Sequence, residues 1–489
     1  MNKRKLFPAI LGPFLFGVLL NFFHPSGLSI QANAVLACTA WIAIWWIFEV
    51  TDISVTALLP IILFPLTGAL DIKTTTAAYG HKYIFLYLGG FILAITIEKW
   101  NLHKRIALNI INLIGAGISK IILGFMLATA FMSMWISNTA TTVMMLPIGL
   151  AIILQLKDDP ETEEDENQKF GKALMLAIAY SASIGGMATL FGTPPNLVFA
   201  GVVQEVYGVE IGFGEWMLFG LPISILLMGI CWMYLTKYAF KFKMDEFPGG
   251  REKIRALLSD LGLWSDEEKK VVTVFAITAF LLIFRQKIQL LVPQIDDTII
   301  ALGMGILLFL IPSSKKGEVL LTWKEAVKMP WGVIILFGGG MALAAGFQQS
   351  GLAVWIGNQF ELMKALPIFL LILLLIAAVN FLTEITSNLA TTAMLLPILA
   401  PMALSIDVHP YILLVSATVA ASCAFMLPVA TPPNAIVFGS GYLKIPDMIK
   451  TGFWMNMISI ILLTLIVFFV LENLWGFNGQ AFPETFLSE

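Results

Sequence analysis

"SNTATTVMMLPI" runs from Ser137 to Ile148, and "SNLATTAMLLPI" runs from Ser387 to Ile398. The copies stand 250 residues apart, and each sets a cluster of uncharged polar side chains inside a long apolar run. One such cluster could arise by chance, but a matched pair calls for a shared architecture. What that architecture is depends first on the solvent around it.

Composition names the solvent. Of 489 residues, 58% are hydrophobic and 12% charged, and the mean hydropathy is +0.87. A soluble domain carries about a quarter of its residues as charges. Lipid is therefore the medium for most of these side chains, and many uncharged runs approach the ~20 residues a helix needs to cross. A net charge of −3 gives no case for nucleic acid or for steering an anion from afar. Cys38, Cys231 and Cys423 stand singly in apolar surroundings, as small buried hydrophobes rather than metal ligands or disulfide partners. The opening "MNKRKLFPAILGPFLFGVLLNFF" has the positive end of a signal peptide but no small-residue cleavage site. It reads as the first transmembrane helix.

The repeat extends beyond the two quoted stretches. At the offset of 250, Gly89 and Gly90 meet Gly339 and Gly340, and Pro147 meets Pro397. A second pair, "TPPN", covers Thr193–Asn196 and Thr431–Asn434 at an offset of 238. The slip comes from an acidic loop at 157–169, read as a solvated connector, where the second half has only a short turn. Residues 1–240 thus form a first repeat with N-terminal helices, 241–270 a connector, and 271–489 a second repeat. Lys3, Arg4, Lys5 and the eight Lys or Arg of 237–270 set the N-terminus and the connector in the cytoplasm. No Lys or Arg follows Lys450, so the C-terminus is expected outside the cytoplasm.

The expected fold is an all-α polytopic membrane protein, with about eleven crossings plus two re-entrant helical hairpins. Lys120 and Lys157 enclose 36 uncharged residues. A straight helix of that length would run about 54 Å against a ~30 Å hydrocarbon core, yet two full crossings need more residues. A hairpin that enters and leaves one side fits, with "SNTATT" at its tip and Ser, Asn or Thr starting the second arm. That arm's first turn presents unpaired N–H groups and a positive dipole end, which suit a carboxylate. Asn138 can turn its NH₂ to an anion and its carbonyl to a cation. An unpartnered amide in lipid would cost about 2–7 kcal/mol, so both tips are expected to meet around one polar site.

The proline pairs in "GTPPN" and "ATPPN" forbid a continuous helix. Both are read as unwound centres of spanning helices, with the carbonyls of Gly192 and Ala430 freed for a hard cation. Broken helices at matching places in two repeats point to a transporter's binding site. Glu384 is the only charge between Lys364 and Asp407, and its counterpart at offset 250 is Met134. It is read as a structural cap rather than a member of a symmetric ligand set. Thr383 matches Ser133; cation ligation suits Thr383, and a hydroxyl bonded back to its own helix is the plainer account of each. His24, His81, His103 and His409 all fall outside the polar motifs. A membrane enzyme is disfavoured for want of a His or Cys dyad, and a channel because closed hairpins occlude.

"SNTATT", "TEITSNLATT" and the two "TPPN" elements resemble the paired signatures of the divalent anion/sodium symporters that carry dicarboxylates and citrate. The resemblance spans nearly the whole chain. It implies a homodimer of inverted repeats in the lipid bilayer, with interleaved scaffold and transport domains and an elevator motion. Carried over by position, it implies substrate contacts at Asn138, Thr139, Asn388, Thr431 and Pro432. It likewise implies sodium ligands at Asn138 and the Gly192 backbone on one side, and at Thr383, Asn388 and Ala430 on the other. The implied function couples sodium entry to uptake of C4 dicarboxylates such as succinate, malate and fumarate. An exchanger of the same fold without net sodium coupling is the alternative. One departure is Leu389, where many bacterial relatives carry Thr; it removes a hydroxyl and puts the order of substrates, citrate included, in question. No Lys or Arg lies within the site motifs. An uncompensated dianion in a low-dielectric pocket is costly, which favours coupling to a cation.

Overall fold

The computed structural model describes residues 3–115, 117–154, 166–242, 250–315, 317–359, 364 and 366–486. Most of the acidic loop and part of the connector, 243–249, lie outside them. The described residues are helical, with one isolated β-bridge between Pro312 and Val319. Among the described residues, seven helices are long and apolar enough to cross a membrane, from Lys5–Phe22 to Ile445–Trp475, and six further apolar helices are shorter. Three of the four hairpin arms fall in the shorter group.

The first hairpin pairs Ile118–Ser133 with Asn138–Ile153, and the second pairs Ile368–Thr383 with Asn388–Ser405. A 16-residue arm spans about 24 Å, short of a ~30 Å core. Both second arms start where the sequence places an N-cap. Ser137 Oγ accepts the Ala140 N–H at 3.3 Å, whereas Ser387 makes no side-chain cap.

Each broken helix unwinds ahead of its proline pair rather than across it. Glu166–Gly186 leads to Pro194–Tyr207, and Pro410–Ala421 leads to Pro432–Phe438. The prolines occupy the first turn of the second half-helix, where a missing N–H costs nothing. The closing Asn of "TPPN" fastens the loop. Asn196 Nδ2 donates to the carbonyls of Thr189 at 2.7 Å and of Gly186 and Met187 at 3.3 Å. Asn434 Nδ2 does the same to Leu427 at 3.0 Å and Ala424 at 3.2 Å.

The hairpins open towards opposite ends of the molecule. Trp232 Nε1 donates to Ser119 O at 2.9 Å, so the mouth of the first hairpin lies beside the end of Phe213–Met233. Tyr207 Oη donates to Ala400 O at 2.8 Å, near the start of that same helix. The halves then cross over. Pro432–Phe438 packs on the arm that begins at Asn138, and Pro194–Tyr207 packs on the arm that begins at Asn388. At the connector end, buried Arg105 donates to Glu268 at 2.7 Å and to the carbonyls of Leu261, Gly262 and Leu263 at 3.0–3.2 Å. One guanidinium thereby anchors the turn before Asp266–Ile283.

Candidate binding site

Ser133 and Thr383 close the first arms of the two hairpins, and both are buried. Neither hydroxyl bonds back to its own helix. Ser133 Oγ donates to Ala182 O at 2.7 Å and lies 2.6 Å from the Asn138 amide. Thr383 Oγ1 donates to Asn388 Oδ1 at 2.7 Å and lies 3.0 Å from Ala421 O. A hydroxyl, an asparagine amide and a main-chain carbonyl near the end of a broken helix's first half therefore meet twice, once in each half of the chain.

In the first half the inner atom of the Asn138 amide also lies 3.1 Å from Gly192 O and from Ala182 O. As a nitrogen, that atom donates to Ser133 Oγ and to both carbonyls. As an oxygen, it receives the Ser133 hydroxyl and faces the carbonyl oxygens of Ala182 and Gly192. Gly186 and Gly192 permit the approach: a Cβ on Gly186 would strike the Asn138 side chain, and one on Gly192 would strike Gly186 O.

The second cluster is more open. Asn388 Oδ1 receives the Thr383 hydroxyl, and its Nδ2 makes no hydrogen bond within the described residues. Ala430 turns its N–H to Leu427 O at 3.2 Å and has no bond to Asn388, so that predicted pair is not joined as Asn138 and Gly192 are. Thr431 Oγ1 accepts the Asn434 N–H at 3.3 Å and caps its half-helix. With Ser387 uncapped, the first-turn N–H groups after it lack a side-chain partner. Gly192, Thr383, Ala430 and Thr431 are buried, Asn138 and Asn388 are half-buried, and Thr139 and Pro432 are exposed.

Glu384 bonds to neither cluster and instead caps main-chain N–H groups. Its carboxylate accepts the N–H groups of Phe425, Met426 and Leu427 at 2.8–3.0 Å and Asn456 Nδ2 at 2.8 Å. Sequence reasoning missed Ser133 as a bridge, the stapling role of Asn196 and Asn434, and Asn456 altogether. The hydroxyl matched at offset 250 and the literal repeat of Asn in "TPPN" carried the first two signals; Asn456 left none. The carbonyls of Ala182 and Ala421 could not be read, because any residue carries one.

Known proteins align over this whole arrangement. The chain is 46% identical over 484 residues to the sodium-dependent dicarboxylate transporter SdcS of Staphylococcus saprophyticus, covering 98% of this chain and 93% of that one. It is 47% identical over 496 residues to the protein of the same name in Staphylococcus aureus, covering 99% and 95%. Among solved structures, Neisseria gonorrhoeae MtrF matches with a TM-score of 0.60 at 14% identity, over 94% of this chain and 95% of that one. The Alcanivorax borkumensis YdaH transporter matches with a TM-score of 0.57, also at 14% identity, over 82% and 87%. These two likenesses speak to fold alone. The model of the sodium:sulfate symporter transmembrane region matches residues 4–476. The chain is a multi-pass protein of the cell membrane and belongs to that family, whose members are transporters and not enzymes.

Proposed function

We propose that this protein is a symporter that couples sodium entry to uptake of C4 dicarboxylates such as succinate, malate and fumarate. The observation that carries this reading is the twofold cluster of hydroxyl, asparagine amide and broken-helix carbonyl, set beside helix N-termini and free of fixed charge. The oxygens of Asn138, Gly192 and Ser133 suit one sodium ion, and those of Thr383, Asn388 and the Ala430 backbone suit another. Asn138, Thr139, Asn388, Thr431 and Pro432 then receive the substrate carboxylates, with N–H groups at the helix starts as donors. Sodium binds first, because each asparagine oxygen that turns to a cation turns its NH₂ outward to the anion.

The same reading divides the chain into two bodies. The hairpins, the broken helices, Phe213–Met233 and Ile445–Ile466 form the moving body; the remaining helices form the frame. The loaded body travels across the membrane as a unit, within a homodimer whose N-terminus is cytoplasmic and whose C-terminus is outside. Labelled succinate uptake into empty proteoliposomes tests this. Uptake driven by an inward sodium gradient, and lost when potassium replaces sodium, is expected. Uptake indifferent to that replacement, or present only with internal dicarboxylate, would overturn symport in favour of uncoupled transport or exchange. Competition by sulfate and citrate in the same assay ranks the anions.

A further inference from the structure

Ion pairs among the described residues sort by body. Lys99–Glu325 at 2.8 Å, Arg105–Glu268 at 2.7 Å and Arg285–Asp297 at 3.2 Å join parts of the frame. Lys172–Asp447 at 3.0 Å joins two helices of the moving body. The pairs Glu166–Lys169, Asp266–Lys269 and Lys315–Glu318 are three residues apart and local. Among the described pairs, those of Glu210 alone reach across.

Glu210 lies between Tyr207 and Phe213, in the link that joins two helices of the moving body. Its Oε2 meets Lys82 Nζ at 2.8 Å and its Oε1 meets Arg285 Nη1 at 2.7 Å, both on the frame. The backbone around it is held by the same neighbours. Tyr83 Oη donates to Ile211 O at 3.0 Å, and Asp297 Oδ2 accepts the Phe213 N–H at 2.6 Å. Gly212 backs directly onto the Arg285 guanidinium, which a Cβ there would push aside.

We propose that Glu210 is a latch, whose bridge to Lys82 and Arg285 pins the moving body to the frame in this conformation and must part on every transport stroke. A slide of one helical turn, about 5 Å, carries all these contacts out of hydrogen-bond range. The charges are arranged so that parting strands none of them. The Arg285 side chain is only 8% exposed but keeps Asp297 when Glu210 leaves. Lys82 and Glu210 are each 32% exposed, so water takes up their free ends. A buried charge left alone would make the stroke prohibitive; this pairing avoids it. The geometry therefore fits a bond made to be broken rather than a permanent anchor such as Arg105.

The inference rests on the two-body reading, and two measurements separate their fates. First, Lys82→Cys with Glu210→Cys is joined by a bifunctional methanethiosulfonate reagent in the full-length protein; the native cysteines are buried. The linked protein is expected to lose sodium-driven succinate uptake, keep sodium-dependent succinate binding, and regain uptake on reduction with dithiothreitol. Undiminished uptake by the linked protein would overturn the latch, whereas failure of the unsubstituted protein to take up succinate counts against the function. Second, Glu210→Gln should speed hydrogen–deuterium exchange in 208–213, whatever the substrate. Unchanged exchange there overturns the latch independently of transport.

Discussion

Glu384 accepts the main-chain N–H of Phe425 at 2.8 Å, so the tip of the second hairpin holds open the second broken helix. The first half solves the same problem with the roles of side chain and main chain exchanged. Thr189, from the unwound segment, donates its hydroxyl to Met134 O at 2.5 Å. Met134 and Glu384 are counterparts at offset 250, and Thr189 and Leu427 are counterparts at offset 238. The contact is thus preserved between halves although its chemistry is not.

Replacing Glu384 with Gln keeps the shape but turns an NH₂ group towards N–H donors. Either oxygen can be retained, yet one of the donors at Phe425, Met426 and Leu427 then faces another donor. The cost expected for disrupting such charge-assisted bonds is about 2–4 kcal/mol. Thermal unfolding in detergent should show a lower midpoint, and uptake should fall with it. An E384Q protein as stable and active as the parent would rule out the clamp.

Asn138→Ala and Asn388→Ala should each remove most sodium-dependent uptake while leaving folded protein in detergent. Both side chains are half-buried, each beside the hydroxyl that ends the first hairpin arm. Size-exclusion chromatography separates loss of function from loss of fold. Full uptake by either variant defeats its role in the site.

Ser133→Ala and Thr383→Ala remove the hydroxyl that joins each amide to a carbonyl. Each should raise the sodium concentration for half-maximal uptake by about tenfold, the equivalent of ~1.4 kcal/mol. Thr383→Ser keeps the hydroxyl and should stay near the parent value. A Thr383→Ser protein as impaired as Thr383→Ala would show that the methyl group matters instead.

Leu389 is buried at 5% exposure, whereas Thr139 at the matching position is exposed. Leu389→Thr adds a hydroxyl in the first turn after uncapped Ser387, next to N–H groups available to a carboxylate. The ratio of succinate to citrate uptake should shift. An unchanged ratio would place residue 389 out of reach of the substrate.

Glu267 sits in the first turn of Asp266–Ile283, ahead of the apolar stretch. The Ser314 hydroxyl and then its N–H, at 2.7 Å, hold the carboxyl at about 2, well below its ordinary value. A depressed folded-state pKa stabilises fully above the ordinary value, and this is lost as pH falls towards 2. Ser314→Ala should therefore lower the unfolding midpoint at pH 7, by about 1 kcal/mol equivalent. The gap from the parent should narrow below pH 4; a gap independent of pH would assign the loss to packing.

Much of the molecule was legible because lipid makes polar sequence conspicuous. The hairpin tips, the proline breaks and the isolated Glu384 stood out against apolar runs, and the repeat doubled each signal. Other parts were silent. Asn456 lies 72 residues from the carboxylate it serves, and nothing in "FWMNMIS" announces that partner. Glu210 reads as an ordinary polar residue in a short link until Lys82 and Arg285 are brought to it.

By itself, the sequence determined where helices begin, stop and break, because capping, proline geometry and burial in hydrocarbon act on neighbouring residues. Tertiary structure alone decided which main-chain carbonyls meet Asn138 and Thr383, and which charges meet Glu210. Those choices depend on packing between segments far apart in the chain, and a carbonyl carries no mark in its residue's side chain to say where it will point.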